Sequence, residues 1–372
     1  MRFLLAILFA TAIFILQFHF YRKNWNKAFH VAVSYDRPYV NAGETCCLKE
    51  VIYNNKFLPI PVVYVKFKAS KTFQFENEDN AAVSDFYYRN DAFSVLGYQK
   101  IIRKLSFTAT VRGYYIIDSV DIVTSDLFLQ HHYATILPNL TALYVLPKRL
   151  PKKSFEVIYH SIMGEVITRW HDYQDPCFFK GIRPYQPYDA VRAINWKSTA
   201  KMGKLNVNTY YPTSAAKVIC ILNLDTHTML HTEHLQEFSI QIVATLAKAF
   251  IEDSIPVAVY TNGMDCLDTS VVQMESGSSI SHLTSIYQCL ARINLHAPLA
   301  DFFSLWKKIM TKQELNIFYV LVSSYRKSDF MEHYHAYEQK GFPISLIVPE
   351  FKDIGLQVAG KNIYKWEVPS LG

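Results

Sequence analysis

Three groups of residues in this 372-residue sequence have types and spacings that suggest chemistry. Ser198, Thr199, Ala200 and Lys201 read S-x-x-K, which sets a lysine amine one helical turn from a serine hydroxyl, as in serine enzymes whose nucleophile has a lysine neighbour. The companion elements S-D-N and K-T-G are missing, so no catalysis is expected from the pair. His227, His231 and His234 follow Asp225 at offsets that place the three imidazoles on one side of a helix. Together with the carboxylate they are a ligand set that zinc accepts. They lack an H-E-x-x-H pattern, and ordinary polar residues at the exposed start of a long helix are the plainer reading. No cofactor, bound metal or enzymatic activity is expected. The alternative is a membrane-bound metal-dependent hydrolase that uses Asp225 and the histidine face.

The third group is the stretch FFKGIRPYQPYDAVRAINWKSTAKMGKLNV, which begins at Phe178 and includes Gly181, Arg183, Tyr185, Asp189, Arg192, Trp196 and Lys197. It lies in a basic region. Between Lys148 and Lys204 there are eleven Lys or Arg against five Asp or Glu, a net +6 that equals the formal charge of the whole chain. Basic residues interleaved with Tyr and Trp are what single-strand nucleic-acid binders use for phosphate contact and stacking. Asp172, Asp175 and Asp189 interrupt the pattern, and no nucleic-acid partner is expected. Two other roles are compatible with each other. One is an internal network in which Asp189 accepts from Arg183 or Arg192 with Trp196 packed beneath. The other is a docking surface whose lysines meet an acidic partner.

These residues need elements to carry them, and the chain is long enough for two or three domains. Half of it is hydrophobic and 15% aromatic, with only 12 glycines, which excludes a disordered or low-complexity protein. No internal repeat is visible. Neither G-x-G-x-x-G nor G-x-x-x-x-G-K occurs, so the usual nucleotide cradles are absent and the protein is not expected to be an ATPase itself. Six cysteines, including the adjacent Cys46 and Cys47, show no C-x-x-C spacing and read as reduced thiols.

Residues 3–20, FLLAILFATAIFILQFHF, carry no Asp, Glu, Lys or Arg. As a helix they span roughly 27 Å, close to the hydrocarbon thickness of a bilayer. A cleaved signal peptide would have a shorter apolar core and a small-residue site, whereas this run ends in Phe18, His19, Phe20 and Tyr21. Residues 1–23 therefore read as a single membrane anchor in the cytoplasmic (inner) membrane. Arg22, Lys23 and Lys27 follow the span and only Arg2 precedes it, which places the bulk of the chain in the cytoplasm. Tyr21 and Trp25 stand where interfacial aromatics anchor a helix end.

Residues 27–147 read as a β-sandwich-like domain, because segments such as TCCLKEVIYN and PVVYVKFKAS alternate at short spacing with turn residues between them. The Pro- and Lys-containing join LPKRLPKKS leads into a basic connecting segment, 148–214. Residues 215–372 alternate strand and helix: KVICILNLD, a helical pattern over 233–253, IPVAVYTN, helical patterns near 280–294 and 299–312, NIFYVLVSS, a helix over 331–340, and FPISLIVP. This reads as a doubly wound α/β domain with Asp225, Ser323 and Ser324 at strand ends.

Phe179, Gly181, Arg183, Tyr185, Asp189, Arg192, Ile194, Trp196, Lys197 and Ser198 resemble the signature F-x-G-x-R-x-Y-x-x-G-D-x-x-R-x-I-x-W-x-x-S-A-R of the bacterial family known as domain of unknown function 58. The resemblance extends over the whole chain, since members of that family combine membrane segments, a β-rich region and a von Willebrand factor A-like domain after the signature. It differs in three respects. Tyr188 replaces a Gly, Ser198-Thr199-Ala200-Lys201 replaces Ser-Ala-Arg, and there is one span where two are common. The Asp-x-Ser-x-Ser magnesium motif of von Willebrand A-type domains corresponds to Asp225, His227 and Met229, which reads as a degenerate site. The resemblance implies a non-enzymatic adaptor or assembly factor that works with a MoxR-type AAA+ ATPase, or with the client of that ATPase, in protein maturation or at the cell envelope.

Overall fold

The protein is described from a computed structural model, which covers residues 2–77, 80–172, 174–212, 217–226, 232–311, 316–351, 360 and 362–368. The chain divides into two compact units, Met1–Lys148 and Arg149–Gly372.

The first unit opens with helix α1 (Arg2–Asn24) and continues through ten strands: β1 (Phe29–Tyr35), β2 (Tyr39–Asn41), β3 (Thr45–Asn54), β4 (Ile60–Ala69), β5 (Phe73–Phe75), β6 (Ala81–Val83), β7 (Tyr87–Val95), β8 (Lys100–Ala109), β9 (Gly113–Ser125) and β10 (His132–Leu146). They form a four-stranded sheet in the order β1-β3-β8-β5 and a six-stranded sheet in the order β2-β10-β9-β4-β7-β6. Period-two burial along β1, β3 and β7 sends alternate side chains inward, and the buried residues of both sheets make one core. This is a β-sandwich. Helix α1 is long and apolar enough to cross a membrane: the most apolar 18 residues within Phe3–Asn24 have a mean hydropathy of 2.3, and none of that window is buried in protein. Its end is fixed to the sandwich, where Tyr21 and Trp25 join the core and the Tyr21 hydroxyl donates to the Pro59 carbonyl. Cys46 is buried in the core while Cys47, its neighbour on β3, points to the other face of the sheet, and neither forms a disulfide.

A charged cluster of three buried residues and one half-buried arginine reaches into the core. Glu50 on β3 and Arg103 on β8 are cross-strand partners, while Arg89 and Asp91 point inward from β7 in the opposite sheet. The Asp91 carboxylate accepts from Arg89 Nε at 2.5 Å and from Arg103 Nη1 at 2.8 Å. Arg89 also donates to the Asn77 carbonyl at 3.0 Å. Burial, and after it the neighbouring Asp91 carboxylate, pushes Glu50 up to about 8.

The second unit contains α2 (Lys152–Asp172), β11 (Gln174–Pro184), α3 (Trp196–Met202), β12 (Asn206–Pro212), β13 (Lys217–Asn223), α4 (Thr232–Glu252), β14 (Val257–Asp265), β15 (Val271–Gly277), α5 (Ile280–Arg292), β16 (Ile293–Asn294), α6 (Phe302–Thr311), β17 (Ile317–Ser323), α7 (Ser328–Gln339), β18 (Ile344–Phe351) and β19 (Ile363–Val368). Strands β14-β13-β17-β18-β19 are parallel neighbours, and β15 and β16 both pair antiparallel with β14. The fully buried strands β13 and β17 explain the continuous apolar runs in their sequences. Phe302, Trp306, Phe330 and Tyr334 from α6 and α7 pack with Ile219, Ile221 and Leu321.

Two expectations about architecture are corrected here. The α/β class does not describe the chain, because among the described residues strand exceeds helix at 43% against 31%. The von Willebrand factor A-like doubly wound assignment is withdrawn with it. The sequence reading weighted the alternation after residue 215 and passed over antiparallel strands: VVQMESG, too short to show a period, folds back on β14 as β15. In addition, residues 148–214 are more than a connector, since they contain a helix, the antiparallel pair β11–β12 and the short helix α3.

Candidate functional site

The signature residues lie on the β11–β12 pair and on the chain that joins the two strands. Antiparallel pairing sets Gly181 opposite Thr209 and Arg183 opposite Val207. The connection then folds back, with the Tyr185 N–H donating to the Leu205 carbonyl at 2.9 Å and the Asn195 N–H to the Asn206 carbonyl at 2.8 Å. Within it Arg183 grips Asp189 through two parallel bonds, Nη1 to Oδ2 at 2.7 Å and Nη2 to Oδ1 at 2.6 Å, and the Gln186 N–H donates to the same carboxylate at 2.8 Å. The Arg183 hydrogen bond is the main cause that holds the Asp189 carboxyl below the usual carboxylate range. The ring of Tyr188 lies 5.8 Å from the Arg183 guanidinium. Tyr188 is not among the described residues with positive φ, so the backbone accepts a side chain where the family signature has Gly.

Arg192 takes no part in this pairing. It stands exposed on the 3-10 turn Val191–Ala193. Trp196, for which a packed position beneath the network was one expectation, is 65% exposed. The physical reason is local. Trp196 is the first residue of a seven-residue helix that has no buried residue, and its ring projects outward. Lys197 and Lys201 are exposed on the same helix. Nothing crowds Gly181, since a Cβ there would meet only Thr209 Oγ1, at 3.8 Å.

Helix α3 is fixed by residues that the sequence reading did not single out. Asn195 accepts from the Ser198 N–H at 2.9 Å and donates to Asn208 Oδ1 at 2.7 Å, while Gly203 closes the helix in the left-handed conformation at φ 65. The signal was present in the sequence as an Asn just before the helix and a Gly just after it. Asn195→Ala is expected to destabilise α3 by about 1 kcal/mol. Backbone amides of residues 196–202 should then exchange roughly five times faster, with β13 and β17 unchanged. In the S-x-x-K pair, the Ser198 hydroxyl faces Met202 Sδ at 3.9 Å.

Asp225 belongs to a second polar group, at the ends of β13, β14 and β17. Asn262 Nδ2 donates to Asp225 Oδ2 at 3.2 Å, Asn262 Oδ1 accepts from the Leu224 N–H at 2.9 Å, and Asn223 Nδ2 donates to Ser323 Oγ at 3.1 Å. Ser323 Oγ also accepts from the Tyr325 N–H at 3.1 Å. Burial, and to a lesser degree the charge of Asp301, raises Asp225 above the normal carboxyl range. The network ties three strand ends together and occupies the hydroxyl of Ser323. Neither Asn262 nor Asp301 was foreseen, because both become neighbours of Asp225 only when the strands are aligned.

His227, His231 and Met229 lie outside the described residues. His234 is described, and its ring stacks on Phe351 with centroids 5.7 Å apart. Among the described residues, no group of three or more His, Cys, Asp or Glu is placed to hold a metal ion.

No protein-family model matches the sequence, and no curated protein matches it. Among solved structures the chain is similar to a non-cellulosomal cohesin from the hyperthermophilic archaeon Archaeoglobus fulgidus, at 10% identity and a TM-score of 0.23, over 35% of this chain and 96% of that one. It is similar to the sixth cohesin of scaffoldin B from Acetivibrio cellulolyticus, at 10% identity and a TM-score of 0.23, over 31% of this chain and 98% of the other. A third likeness is to ACE19, the collagen-binding subdomain of the Enterococcus faecalis surface protein ACE, at 11% identity and a TM-score of 0.21, over 32% and 96% of the two chains. At these scores nothing about function is carried over.

Proposed function

We propose that this protein is a membrane-anchored, non-enzymatic adaptor or assembly factor. It sits in the inner membrane with the bulk of the chain in the cytoplasm, and its signature segment docks onto an acidic surface of a MoxR-type AAA+ ATPase or of that ATPase's client. The observation that carries this reading is the exposure of Trp196, Tyr188, Val191 and Met202 together with Arg192, Lys197 and Lys201 on one braced segment. Aromatic and arginine side chains dominate the binding energy of protein interfaces, and a segment held by the Arg183–Asp189 fork loses little freedom on docking. The likeness of residues 179–198 to the family signature supports the choice of partner class.

The test is to purify the tagged full chain from solubilised membranes with ATP or with ADP present, alongside an Arg192→Ala, Trp196→Ala double variant that keeps the native fold. An AAA+ ATPase should be recovered with the wild type in a nucleotide-dependent way. The double variant should bind it roughly 100-fold or more weakly. Recovery of no ATPase in either nucleotide state, or equal recovery with the double variant, contradicts the proposal.

A further inference from the structure

The turn between β9 and β10 carries three consecutive apolar residues, Leu127, Phe128 and Leu129, with exposures of 45%, 50% and 54%. A solvated hairpin tip would ordinarily carry polar residues. This one lies alongside α1. The Phe128 ring stacks on Phe14 with centroids 5.7 Å apart, and the His131 ring meets Phe18 at 4.4 Å. Phe14 precedes the end of the helix at Asn24 by ten residues, about 15 Å along the axis at 1.5 Å per residue. The positive residues of the last turn are Arg22 and Lys23, so Phe128 sits well on the apolar side of the charges that mark the membrane surface. Lipid that covers α1 at the level of Phe14 must meet the tip as well.

The loop is built for such a place. An irregular backbone survives near hydrocarbon only if its polar groups are satisfied internally. Here the Asp126 N–H donates to the His131 carbonyl at 3.1 Å, the Leu129 N–H donates to the Asp126 carbonyl at 3.0 Å, and the Gln130 N–H donates to Asp126 Oδ1 at 2.8 Å. The turn closes through Leu129 in the left-handed region, at φ 59. Asp126 itself has no exposed surface and its carboxylate also faces His131 Nδ1 at 3.2 Å. These backbone groups and the Asp126 carboxylate turn inward and the three apolar side chains outward, with Gln130 exposed beside them. The turns holding Phe57, Leu96 and Tyr98, all exposed, lie at the same end of the sandwich, since Asn54 bridges the Leu58 and Leu96 carbonyls and Tyr21 reaches Pro59.

We infer that the β9–β10 tip, Leu127, Phe128 and Leu129, inserts beside α1 into the leaflet that faces the sandwich, as a second, non-spanning contact with lipid acyl chains. This rests on the membrane-anchored reading above. The insertion would hold the sandwich in one orientation against the bilayer, where a lone helix would leave it free to swing.

The experiment uses the full chain in phosphatidylcholine–phosphatidylglycerol vesicles, with and without bromine on the acyl chains. Tryptophan emission is compared between wild type, Phe14→Trp and Phe128→Trp, and the wild-type signal is subtracted from each. Leu127→Trp is a second reporter in case Phe128→Trp folds poorly. The expected result is that bromolipid removes the added emission of the tip reporter by a fraction comparable to that lost by Phe14→Trp. If Phe14→Trp is quenched and neither tip reporter is, the insertion is overturned while the anchor stands. If Phe14→Trp is not quenched either, the anchor reading fails and the insertion fails with it.

Discussion

Replacing Asp91 by Ala is expected to destabilise the sandwich by about 3–5 kcal/mol, the cost of removing one partner from a buried ion pair. The Arg89 and Asp91 side chains are both 0% exposed, and Asp91 is the carboxylate to which Arg89 and Arg103 both donate. Without it, the Arg89 guanidinium stays between the two sheets without the carboxylate it donates to. Arginine cannot escape by losing its proton at any ordinary pH, so the cost falls on the fold. Amide exchange in β3, β7 and β8 should accelerate together, because these three strands surround the cluster, while β13 and β17 in the second unit should keep their protection. Arg89→Met combined with Asp91→Leu should recover most of the loss, since a well-packed apolar pair replaces a buried ion pair at little cost. If Asp91→Ala alone left the exchange of β7 unchanged, the cluster would have no part in holding the sheets together.

Glu50→Gln should have the opposite effect, and only at higher pH. The folded sandwich raises the Glu50 carboxyl from 4.5 to about 8. Between these values the folded state holds a proton that the unfolded chain has released, so stability falls as pH rises across this window and levels off above it. Gln keeps the shape of the protonated acid and cannot ionise. Near pH 4 the variant and the wild type should be equally stable. By pH 8.5 the variant should be clearly the more stable of the two, because the wild type then carries a buried carboxylate beside Asp91. The check is the pH dependence of exchange protection in β3 and β8 for both proteins. Parallel profiles would show that Glu50 is not the group that titrates.

These two predictions rest on positions that the sequence pattern concealed. The alternation of β3 was legible, but Lys49 and Glu50 are adjacent, so a charge falls on each face whichever way the strand is turned. Only the register Glu50 to Arg103, with Arg89 and Asp91 supplied from the opposite sheet, shows that Glu50 faces into a charged cluster. The apolar first helix was legible because its signal is local and continuous, and so were the buried strands Lys217–Asn223 and Ile317–Ser323. The class of the chain was misjudged because β15 is too short to show a period, and because β11 finds its antiparallel partner β12 only beyond the intervening connection and α3. In the signature, chemistry alone narrowed the partners of Asp189 to two arginines, and the fold of the connection selects Arg183. The outward position of Trp196 was not legible, because composition does not tell a buried tryptophan from one displayed on a short helix. The hairpin tip at Phe128 was missed for a related reason, since an apolar triplet in a turn gains meaning only beside Phe14.

The central claim is that the braced signature segment is a docking surface for an AAA+ ATPase or its client. The most direct measurement places a photoreactive side chain at position 196 of the full-length protein in native membranes, with a control at position 280, where Ile280 is 82% exposed at the start of α5. After irradiation with ATP present, the adducts are identified by mass spectrometry. The account predicts an adduct at position 196 to an AAA+ ATPase or to the client bound to it, weakened by Arg192→Ala and absent at position 280. Adducts at position 196 that contain neither protein, or that match those at position 280, would contradict it.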